Sequence, residues 1–363
     1  MKKVYFLTDH PGGANALVPV IQRMAADDKM ALTVVNFQEH TDAIFKEAGV
    51  SLKKLADISL EAMVRLFKEE GPNLIVTGTG AQEGKANDII EHTAIRAARA
   101  LNIPSVSVLD MWSSYRERWS DERTSHPFDC LPDYIAVMDE LAKQEMVAAG
   151  IPENILVVTG NPYFAGLRAK AQMFSDAEKA DMRRRINIPC QTLFLLALDA
   201  FSSLKSTIGF WDADVIRIVT KALPKLSNIG IAVTAHPRSP DKDVIRSMVA
   251  DASAAMKFVE GIPSLAVSLA ADLTIVEAST VGLTAFLMGR PVISLQPGLT
   301  GEDGLIISRK KMIPVGYSAE DCMDLLMRSA DPAYWKNIVA KSSFQIDEKA
   351  TDRVVELVYS MLK

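Results

Sequence analysis

Cysteine is scarce in this sequence, and the three cysteines are far apart. Cys130, Cys190 and Cys322 are odd in number and form no CxxC pair. This pattern argues against a disulfide framework and against a zinc site, and it favours a reducing compartment. Long hydrophobic runs are missing too, since no apolar stretch approaches the length of a membrane span.

The chain also lacks an excess of positive charge. It has 40 Lys and Arg against 45 Asp and Glu, a net charge of −5, which gives no reason to expect a nucleic-acid or anionic-membrane partner. The apolar start of the chain is broken by Thr8, Asp9 and His10, too early for a signal peptide. We therefore expect a cytoplasmic location and no integral membrane segment.

Several catalytic motifs are absent, including HExxH, a Walker loop and a GxSxG nucleophile elbow. The glycine-rich turn after the first strand is not GxGxxG, so a dinucleotide site is poorly supported. Asp212-Ala213-Asp214 has the form of a metal-binding DxD, but acidic residues also belong in the first turn of a helix. We expect helix capping there, and neither a metal nor a cofactor.

What the chain does have is an alternation of short β-rich runs with longer helical patterns, which is typical of parallel sheets built from βαβ units. Its 363 residues are enough for two domains. The alternation pauses near residues 160–190, so we predict two α/β halves with the ligand site in the cleft between them. The predicted strands are Lys3–Leu7, Ala31–Asn36, Leu74–Thr77, Ser105–Leu109, Tyr134–Met138, Ile155–Thr159, Leu193–Leu198, Ile231–Thr234, Lys257–Val259, Leu273–Val276 and Pro291–Leu295.

The turn after the first strand combines polar residues with glycine. Asp9 and His10 at the strand end are candidate acid–base groups, and Gly12 and Gly13 let the backbone approach a ligand closely. The helix that follows, which contains Asn15, offers its N-terminus to an anion or a sugar hydroxyl. An ordinary tight βα turn would have the same composition.

Three more acidic residues stand in or near later loops of the first half. Glu83 follows the polar loop Thr77-Gly78-Thr79-Gly80, Glu91 begins a helix, and Asp110 closes the next strand. Glu91 also suits the positive end of a helix dipole, and Asp110 with its aromatic neighbours suits either sugar binding or packing. Together with the acid–base candidates of the first turn, these are possible general acids or bases, and no spacing selects one.

The second half contains a pattern suited to a phosphate group. In Ala271–Gly298 a buried strand, a turn of small residues, a helix ending at Gly289 and another strand follow one another. Such a turn leaves backbone N–H groups free beside a helix N-terminus, which suits a phosphate or diphosphate. After an earlier strand, His236 and Arg238 either neutralise a diphosphate leaving group or form a solvated turn.

Three segments carry a resemblance: PDYIAVMDELAKQEMVAAGIPENILVVTGNPYFAGL, TAHPRSP and KFVEGIPSLAVSLAADLTIVEASTVGLTAFLMGRPVISL. They are similar to the domain end with its GNP turn, the HP turn and the donor-binding signature of the glycosyltransferase-B (GT-B) and UDP-N-acetylglucosamine 2-epimerase superfamily. The resemblance implies two Rossmann-like domains with parallel sheets that face a central cleft. It assigns residues 1–165 to an acceptor domain, on which a C-terminal helix at 346–363 packs back, and 166–345 to a nucleotide-sugar domain.

The resemblance also implies metal-independent binding of a nucleotide-activated sugar. Ser279, Thr280 and the N–H groups that follow, from Val281 onward, would hold the diphosphate with help from His236. Where the family has a glutamate that binds the ribose hydroxyls, this chain has Thr284. The acidic loop of the hydrolysing epimerases is replaced by LTGEDGL, which argues against epimerase chemistry.

The leading hypothesis is therefore a glycosyltransferase-like enzyme of bacterial surface-polysaccharide synthesis, with a UDP-linked donor and a carbohydrate acceptor. Asp9, His10 or Asp110 would supply the base, and positive charge would stabilise the departing diphosphate. One alternative is a nucleotide-sugar epimerase or polyol-phosphate transferase on the same fold. Another is a non-catalytic binding or assembly protein with a degenerate nucleotide site, and a homodimer is compatible with any of these.

Overall fold

The computed structural model of the chain describes residues 1–80, 89–121, 127–236, 239–341 and 347–362. The chain divides into two compact units, Met1–Gly166 with Ile346–Lys363, and Leu167–Gln345. Each unit is built on one parallel sheet. The predicted class, α/β with two Rossmann-like domains, is thereby confirmed.

The described residues of the first unit form a seven-stranded sheet in the order β3-β2-β1-β4-β5-β6-β7, with every neighbouring pair parallel. Alternate residues of the central strand enter two separate apolar clusters, Val4 and Phe6 in one, Tyr5 and Leu7 in the other. Both faces are therefore covered, as expected of a parallel sheet. The strands are β1 (Lys2–Leu7), β2 (Met30–Asn36), β3 (Leu52–Lys54), β4 (Leu74–Thr77), β5 (Ser105–Val108), β6 (Tyr134–Val137) and β7 (Leu156–Val158).

The second unit repeats this architecture with a six-stranded parallel sheet among its described residues, in the order β10-β9-β8-β11-β12-β13. Its inner strands are fully buried apolar runs such as LTIV at Leu273–Val276. The strands are β8 (Thr192–Ala197), β9 (Ile229–Thr234), β10 (Met256–Phe258), β11 (Leu273–Val276), β12 (Val292–Leu295) and β13 (Val315–Gly316).

Helices connect the strands in both units. In the described part of the chain, none of them has the length and hydropathy needed to cross a membrane. Up to the connection between the units they are α1 (Pro11–Met24), α2 (Asp42–Glu47), α3 (Leu60–Glu70), α4 (Ile90–Ala100), α5 (Glu140–Ala148) and α6 (Pro162–Met173). The remaining helices are α7 (Asp176–Ile186), α8 (Lys205–Ile208), α9 (Asp212–Ala222), α10 (Lys242–Ala252), α11 (Ser264–Ala270), α12 (Thr280–Leu287), α13 (Ile306–Arg309), α14 (Ala319–Ser329), α15 (Pro332–Lys341) and α16 (Ala350–Ser360).

The last helix, α16, packs in the first unit. Val354 and Val358 are buried in the apolar cluster to which α1 contributes. At the end of α16 the Tyr359 hydroxyl donates a hydrogen bond to Asp27 Oδ2 at 3.0 Å. The chain thus returns to the unit in which it began.

The sequence predicts every strand except β3 and β13, and both of these are edge strands. β3 is Leu-Lys-Lys and only partly buried, while β13 has two residues. An edge strand is less covered than an inner one, so it lacks the continuous apolar run that a buried parallel strand shows.

Each sheet has one point at which the direction of strand addition reverses. In the first sheet it lies between β1 and β4, and in the second between β8 and β11. Ligands of open α/β sheets bind beyond the carboxyl ends of the strands at such switch points. The loops that follow β1, β4, β8 and β11 are therefore where the candidate residues matter.

Candidate active site

The loops after β1 and β4 lie against each other at the switch point of the first sheet. A Cβ atom on Gly13 would stand 2.6 Å from Thr8 Oγ1 and 3.1 Å from the Cα of Gly78. Neither glycine has room for a side chain, because each faces the other loop. The first turn of α1 thus packs closely on the loop after β4 at Gly13, and the predicted close approach of a ligand to this turn stays a prediction.

His10 ends the loop after β1, and its ring is buried on one edge and open on the other. Nδ1 is buried and lies 3.5 Å from Glu91 Oε1, while 39% of the side chain stays exposed. The ring rests on Gly80, where a Cβ would come within 2.3 Å of Nδ1. No described residue makes a hydrogen bond to Nε2, so this nitrogen is the one available to a substrate.

Glu91, in the first turn of α4, is fully buried behind His10. Its Oε1 accepts hydrogen bonds from the Thr8 hydroxyl at 2.7 Å and the Asp9 N–H at 3.2 Å, and its Oε2 is buried with no partner among the described residues. Burial would raise the pKa of Glu91, but contact with His10 and the Thr8 hydrogen bond together lower it below its ordinary value. The start of α4 also favours negative charge, so Glu91 is a carboxylate.

The pKa of His10 shifts the other way. Burial lowers the pKa of His10. The contact with Glu91 and the negative charges of Glu91 and Asp110 outweigh burial, so the pKa of His10 is raised above its ordinary value. Glu91 lies on the Nδ1 side of the ring at 3.5 Å, and its negative charge favours a proton on that nitrogen, which leaves Nε2 as the proton acceptor. The His10–Glu91 pair can therefore act as a general base.

Asp9 is bound within the protein. Its Oδ1 accepts hydrogen bonds from the backbone N–H groups of Phe37 at 2.7 Å and Gln38 at 3.0 Å, in the loop after β2. Burial raises the pKa of Asp9, and these two bonds oppose the rise. With 6% of its surface exposed, Asp9 fastens one loop to another, and the geometry supports His10 over Asp9 as a base.

Asp110, after β5, is paired with a cation that the sequence analysis does not identify. Arg118 Nη1 lies 2.7 Å from Asp110 Oδ1 and donates to Thr79 Oγ1 at 2.8 Å, and the Thr79 hydroxyl donates to the same Oδ1 at 2.7 Å. Arg118 is 8% exposed, and its Nε donates to the Ser113 carbonyl at 2.9 Å. An arginine eight positions after a strand-end aspartate is too common a pattern to have been selected from sequence.

Gly12, the second residue of α1, lies directly beside this pair. A Cβ on Gly12 would stand 1.8 Å from Asp110 Oδ2, and Arg118 and Thr79 hold that carboxylate in place. We expect Gly12→Ala to lower the free energy of unfolding by about 1–3 kcal/mol, the usual range for overpacking, as measured by chemical denaturation. Gly166→Ala is the control, because a Cβ there meets no atom within 4 Å. An equal effect of both changes would show that the Gly12 contact is harmless.

In the second unit, Ser279 caps α12 at the switch point. Its Oγ accepts a hydrogen bond from the Val281 N–H at 3.3 Å, and Thr280 beside it is exposed. The helix is followed by Gly289 at φ 75°, as the sequence predicts for the helix end. The first turn of α12 therefore lies at the carboxyl edge of the sheet, where backbone N–H groups and the helix dipole favour an anion.

Thr284, which the resemblance aligns with a ribose-binding glutamate, lies one turn further along α12. Its hydroxyl donates a hydrogen bond to the carbonyl of Thr280 at 2.9 Å. The absence of a ribose contact at this position stays a prediction.

The other predicted binding residues are described in part. Asn15 is partly exposed near the start of α1, and His236 is partly buried two positions after β9. Glu83 and Arg238 lie outside the described residues.

Three acidic residues that the sequence analysis does not bring together meet at the switch point of the second sheet: Asp199 after β8, Asp212 at the start of α9 and Glu277 after β11. The Asp199 N–H donates to Glu277 Oε2 at 2.8 Å, and the Ala278 N–H donates to Asp199 Oδ2 at 2.9 Å. These bonds tie the loop after β8 to the loop after β11. We call these three residues the carboxyl cluster.

Asp212 and Glu277 are fully buried. Asp212 Oδ1 and Glu277 Oε1 have no hydrogen-bond partner in the described part of the chain. Burial and then the charges of Asp212 and Asp199 raise the pKa of Glu277 well above its ordinary value. Burial likewise raises the pKa of Asp199 to about 6. Burial in the carboxyl cluster therefore favours the neutral form of Glu277.

Glu277→Gln tests this assignment, because a glutamine amide has nearly the shape of the carboxyl group and stays neutral at every pH. A carboxyl group with a raised pKa stabilises the folded state below its unfolded pKa of about 4.3, and this stability is lost as the pH rises through the folded-state value. We expect equal melting temperatures of variant and wild type near about pH 5. At about pH 9 the variant should have the higher melting temperature, by about 2–4 °C for each kcal/mol of electrostatic destabilisation that the substitution removes. The exposed Glu260→Gln is the control, and lower melting of Glu277→Gln at both pH values would contradict the assignment.

Asp212-Ala213-Asp214 begins α9, but its two carboxylates differ. Asp214 Oδ2 accepts a hydrogen bond from the Trp211 N–H at 3.3 Å, which confirms the predicted capping for that residue. Asp212 also lies in the first turn of α9, as predicted, while its side chain is buried in the carboxyl cluster and accepts a hydrogen bond from the Phe201 N–H at 3.3 Å. No group of three or more side chains suited to hold a metal ion occurs among the described residues.

No protein-family model matches the chain, and a search of curated proteins finds no significant match. Solved structures match over the whole length. MnaA of S. aureus in complex with UDP has a TM-score of 0.75 at 14% identity, covering 100% of this chain and 98% of that one. UDP-GlcNAc 2-epimerase from Neisseria meningitidis bound to UDP-GlcNAc has 0.70 at 13%, covering 99% of both. MurG of Acinetobacter baumannii has 0.60 at 14%, covering 99% of this chain and 100% of that one.

At such identities the matches establish the fold. The chain has the two-domain α/β fold of these structures, as the resemblance predicts for the GT-B fold.

Proposed function

We propose that this GT-B-fold chain is a glycosyltransferase-like enzyme that uses a nucleotide-activated sugar, with His10 as the general base. The His10–Glu91 pair at the carboxyl edge of the first sheet carries the proposal. In the proposed reaction the acceptor hydroxyl gives its proton to His10 Nε2, its oxygen bonds to the anomeric carbon, and the bond to the diphosphate breaks. Nε2 suits this role, because it is free of other hydrogen bonds from the described residues while Nδ1 faces a buried carboxylate.

The surroundings of His10 favour transfer over epimerisation. Epimerisation removes a proton from one face of a sugar carbon and returns one to the other face, which calls for two acid–base groups, whereas transfer calls for one. Asp9 is occupied by two backbone N–H groups, and Asp110 is paired with Arg118. Among the described residues at this edge, His10 keeps the freedom to exchange a proton.

We assign the donor to the second unit and expect it to be UDP-linked. The structural neighbours with UDP and UDP-GlcNAc support this choice. The start of α12 at Ser279, Thr280 and Val281 supports it too, because the positive end of the helix dipole favours an anion there. His236 would add positive charge next to the diphosphate. The proposed mechanism uses no metal and no cofactor, and the acceptor is a carbohydrate hydroxyl.

A panel of UDP-sugars, assayed with and without carbohydrate acceptors, tests the proposal. UDP release is followed by a coupled assay, and the product is identified by mass spectrometry. We expect UDP release that depends on the acceptor. If the protein bound none of the nucleotides and released no UDP, the proposal would be overturned. The remaining hypothesis would then be a non-catalytic binding or assembly protein.

Epimerisation is the second candidate, because structures named as UDP-GlcNAc 2-epimerases match the whole chain. Incubation of UDP-GlcNAc alone separates the two. Appearance of the 2-epimer by NMR without any acceptor would favour epimerisation, and a strict need for an acceptor would favour transfer.

A further inference from the structure

The carboxyl cluster of Asp199, Asp212 and Glu277 lies where the proposed diphosphate would bind. Asp199 accepts a hydrogen bond from the N–H of Ala278, and Ala278 directly precedes Ser279, the cap of α12. The Ser279 hydroxyl also contacts the Asp199 carboxyl group. A diphosphate at the first turn of α12 would therefore be a neighbour of Asp199, and two anions in a partly dry site repel each other strongly.

We propose that Asp199 contacts the bound nucleotide diphosphate and that binding takes up one proton from solvent onto its carboxyl group. The inference rests on the proposed nucleotide-sugar function. A protonated carboxyl group offers an O–H donor to a phosphate oxygen, while its other oxygen keeps accepting the Ala278 N–H. Asp199 would thus act as a neutral donor at a site where a phosphate otherwise calls for a cation. No covalent bond changes other than the O–H bond formed on Asp199.

The charged groups around Asp199 make this proton uptake favourable. Asp212 from α9 and Glu277 after β11 interact electrostatically with Asp199. The charge of Asp241, before α10, acts in turn on Asp212. Burial and then the charge of Asp212 raise the pKa of Asp199 to about 6 without any ligand. The negative charge of a diphosphate beside Asp199 would raise this pKa further. Proton uptake then removes the repulsion that would otherwise exclude the ligand.

Two groups that can carry positive charge belong to the neighbouring elements. Lys205 of α8 lies 3.1 Å from Asp214 Oδ2, so its charge is already paired. His236 follows β9, is titratable as well, and makes a contact of its own. An uptake experiment must therefore separate Asp199 from His236.

Calorimetric titration with UDP-N-acetylglucosamine is the test, because both ends of its diphosphate are esterified and it has no group that ionises near neutral pH. Titrations in two buffers of different ionisation enthalpy give the number of protons taken up. We expect uptake of a fraction of a proton near about pH 7, and a Kd that weakens by at most about tenfold per pH unit between about pH 6 and 8, the limit for one linked proton.

Asp199→Asn assigns the proton, because asparagine keeps an acceptor for the Ala278 N–H and adds an N–H donor without titrating. We expect the variant to bind UDP-N-acetylglucosamine without proton uptake and with little pH dependence, whereas the control Asp214→Asn, on the same edge, retains the uptake. Wild-type binding without uptake would overturn the inference and leave the proposed function standing. Uptake that persists in Asp199→Asn would overturn it as well and assign the proton to another group such as His236. Absence of binding at every pH would overturn the proposed function, and this inference with it.

Discussion

Replacing His10 by alanine is expected to lower acceptor-dependent turnover by about 10²–10⁴-fold, the usual contribution of a general base. The physical reason is that Nε2 is the proton acceptor of the His10–Glu91 pair, and alanine leaves the acceptor hydroxyl with no base. Nucleotide binding in the second unit should be retained, since the change removes no group from it. Steady-state kinetics with the coupled UDP assay, together with calorimetric titration, measures both quantities.

Glu91→Gln separates positioning from proton transfer. Because Glu91 raises the pKa of His10, the variant should shift the acidic limb of the kcat/KM profile to lower pH and lower its plateau. Glutamine can still accept the hydrogen bonds of Thr8 and Asp9 through its amide oxygen, so the fold should be kept. If the acidic limb of the Glu91→Gln profile stayed at the wild-type pH, Glu91 would not be the group that raises the pKa of the base.

The exposed His40→Ala serves as the matched control for the histidine change, because His40 lies outside the switch point of the first sheet. Its turnover should equal that of the wild type. If His10→Ala retained wild-type turnover as well, His10 would have no catalytic part, and the observation that carries the proposed function would be lost.

Arg118→Met is expected to lower the free energy of unfolding by about 3–5 kcal/mol, the range seen when one partner of a buried ion pair is removed. Asp110 would be left with a carboxylate only 13% exposed and without its cation. The same change removes the hydrogen bonds from Arg118 to Thr79 and to the Ser113 carbonyl. Urea denaturation of variant and wild type measures the loss.

Two further variants show whether that loss of stability comes from the pair of Arg118 and Asp110. Arg116→Met is the control, because Arg116 is exposed two positions away in the same loop, and its effect should stay within about 0.5 kcal/mol. Arg118→Lys should fall between the two, since lysine restores the charge but not the planar fork of donors. A loss below about 1 kcal/mol for Arg118→Met would mean that Asp110 finds solvent and that the pair does not hold this loop.

Regular, local patterns in the sequence predicted the inner strands and the helix ends. The inner strands of both sheets are buried on two faces, so their apolar runs are easily recognised in the sequence. Helix ends such as Gly289 are recognisable as well, because the left-handed backbone conformation there favours glycine. The loop after β1 and the turn before α12 were identified for the same reason, because glycine, small polar residues and a helix start are all local. Edge strands β3 and β13 carry no such pattern.

The candidate site was predicted only in part, because its contacts join residues that are far apart in the chain. His10 and Asp9 were identified as candidates together, and only the fold shows that backbone N–H groups occupy Asp9 while Glu91 backs His10. Arg118 and Asp199 were not selected, since nothing in their local sequence distinguishes them from surface charges. Burial distinguishes them, and burial is set by the packing of distant segments.

The sequence by itself determined the fold class of this protein, because the period and burial of its strands and the ends of its helices depend on neighbouring residues. The tertiary structure decided which side chains carry chemistry. It brings Glu91 to His10 and pairs Asp110 with Arg118, and it gathers three carboxyl groups beside α12. The protonation states that follow depend on distance and desolvation between remote residues, and these exist only once the two sheets have formed.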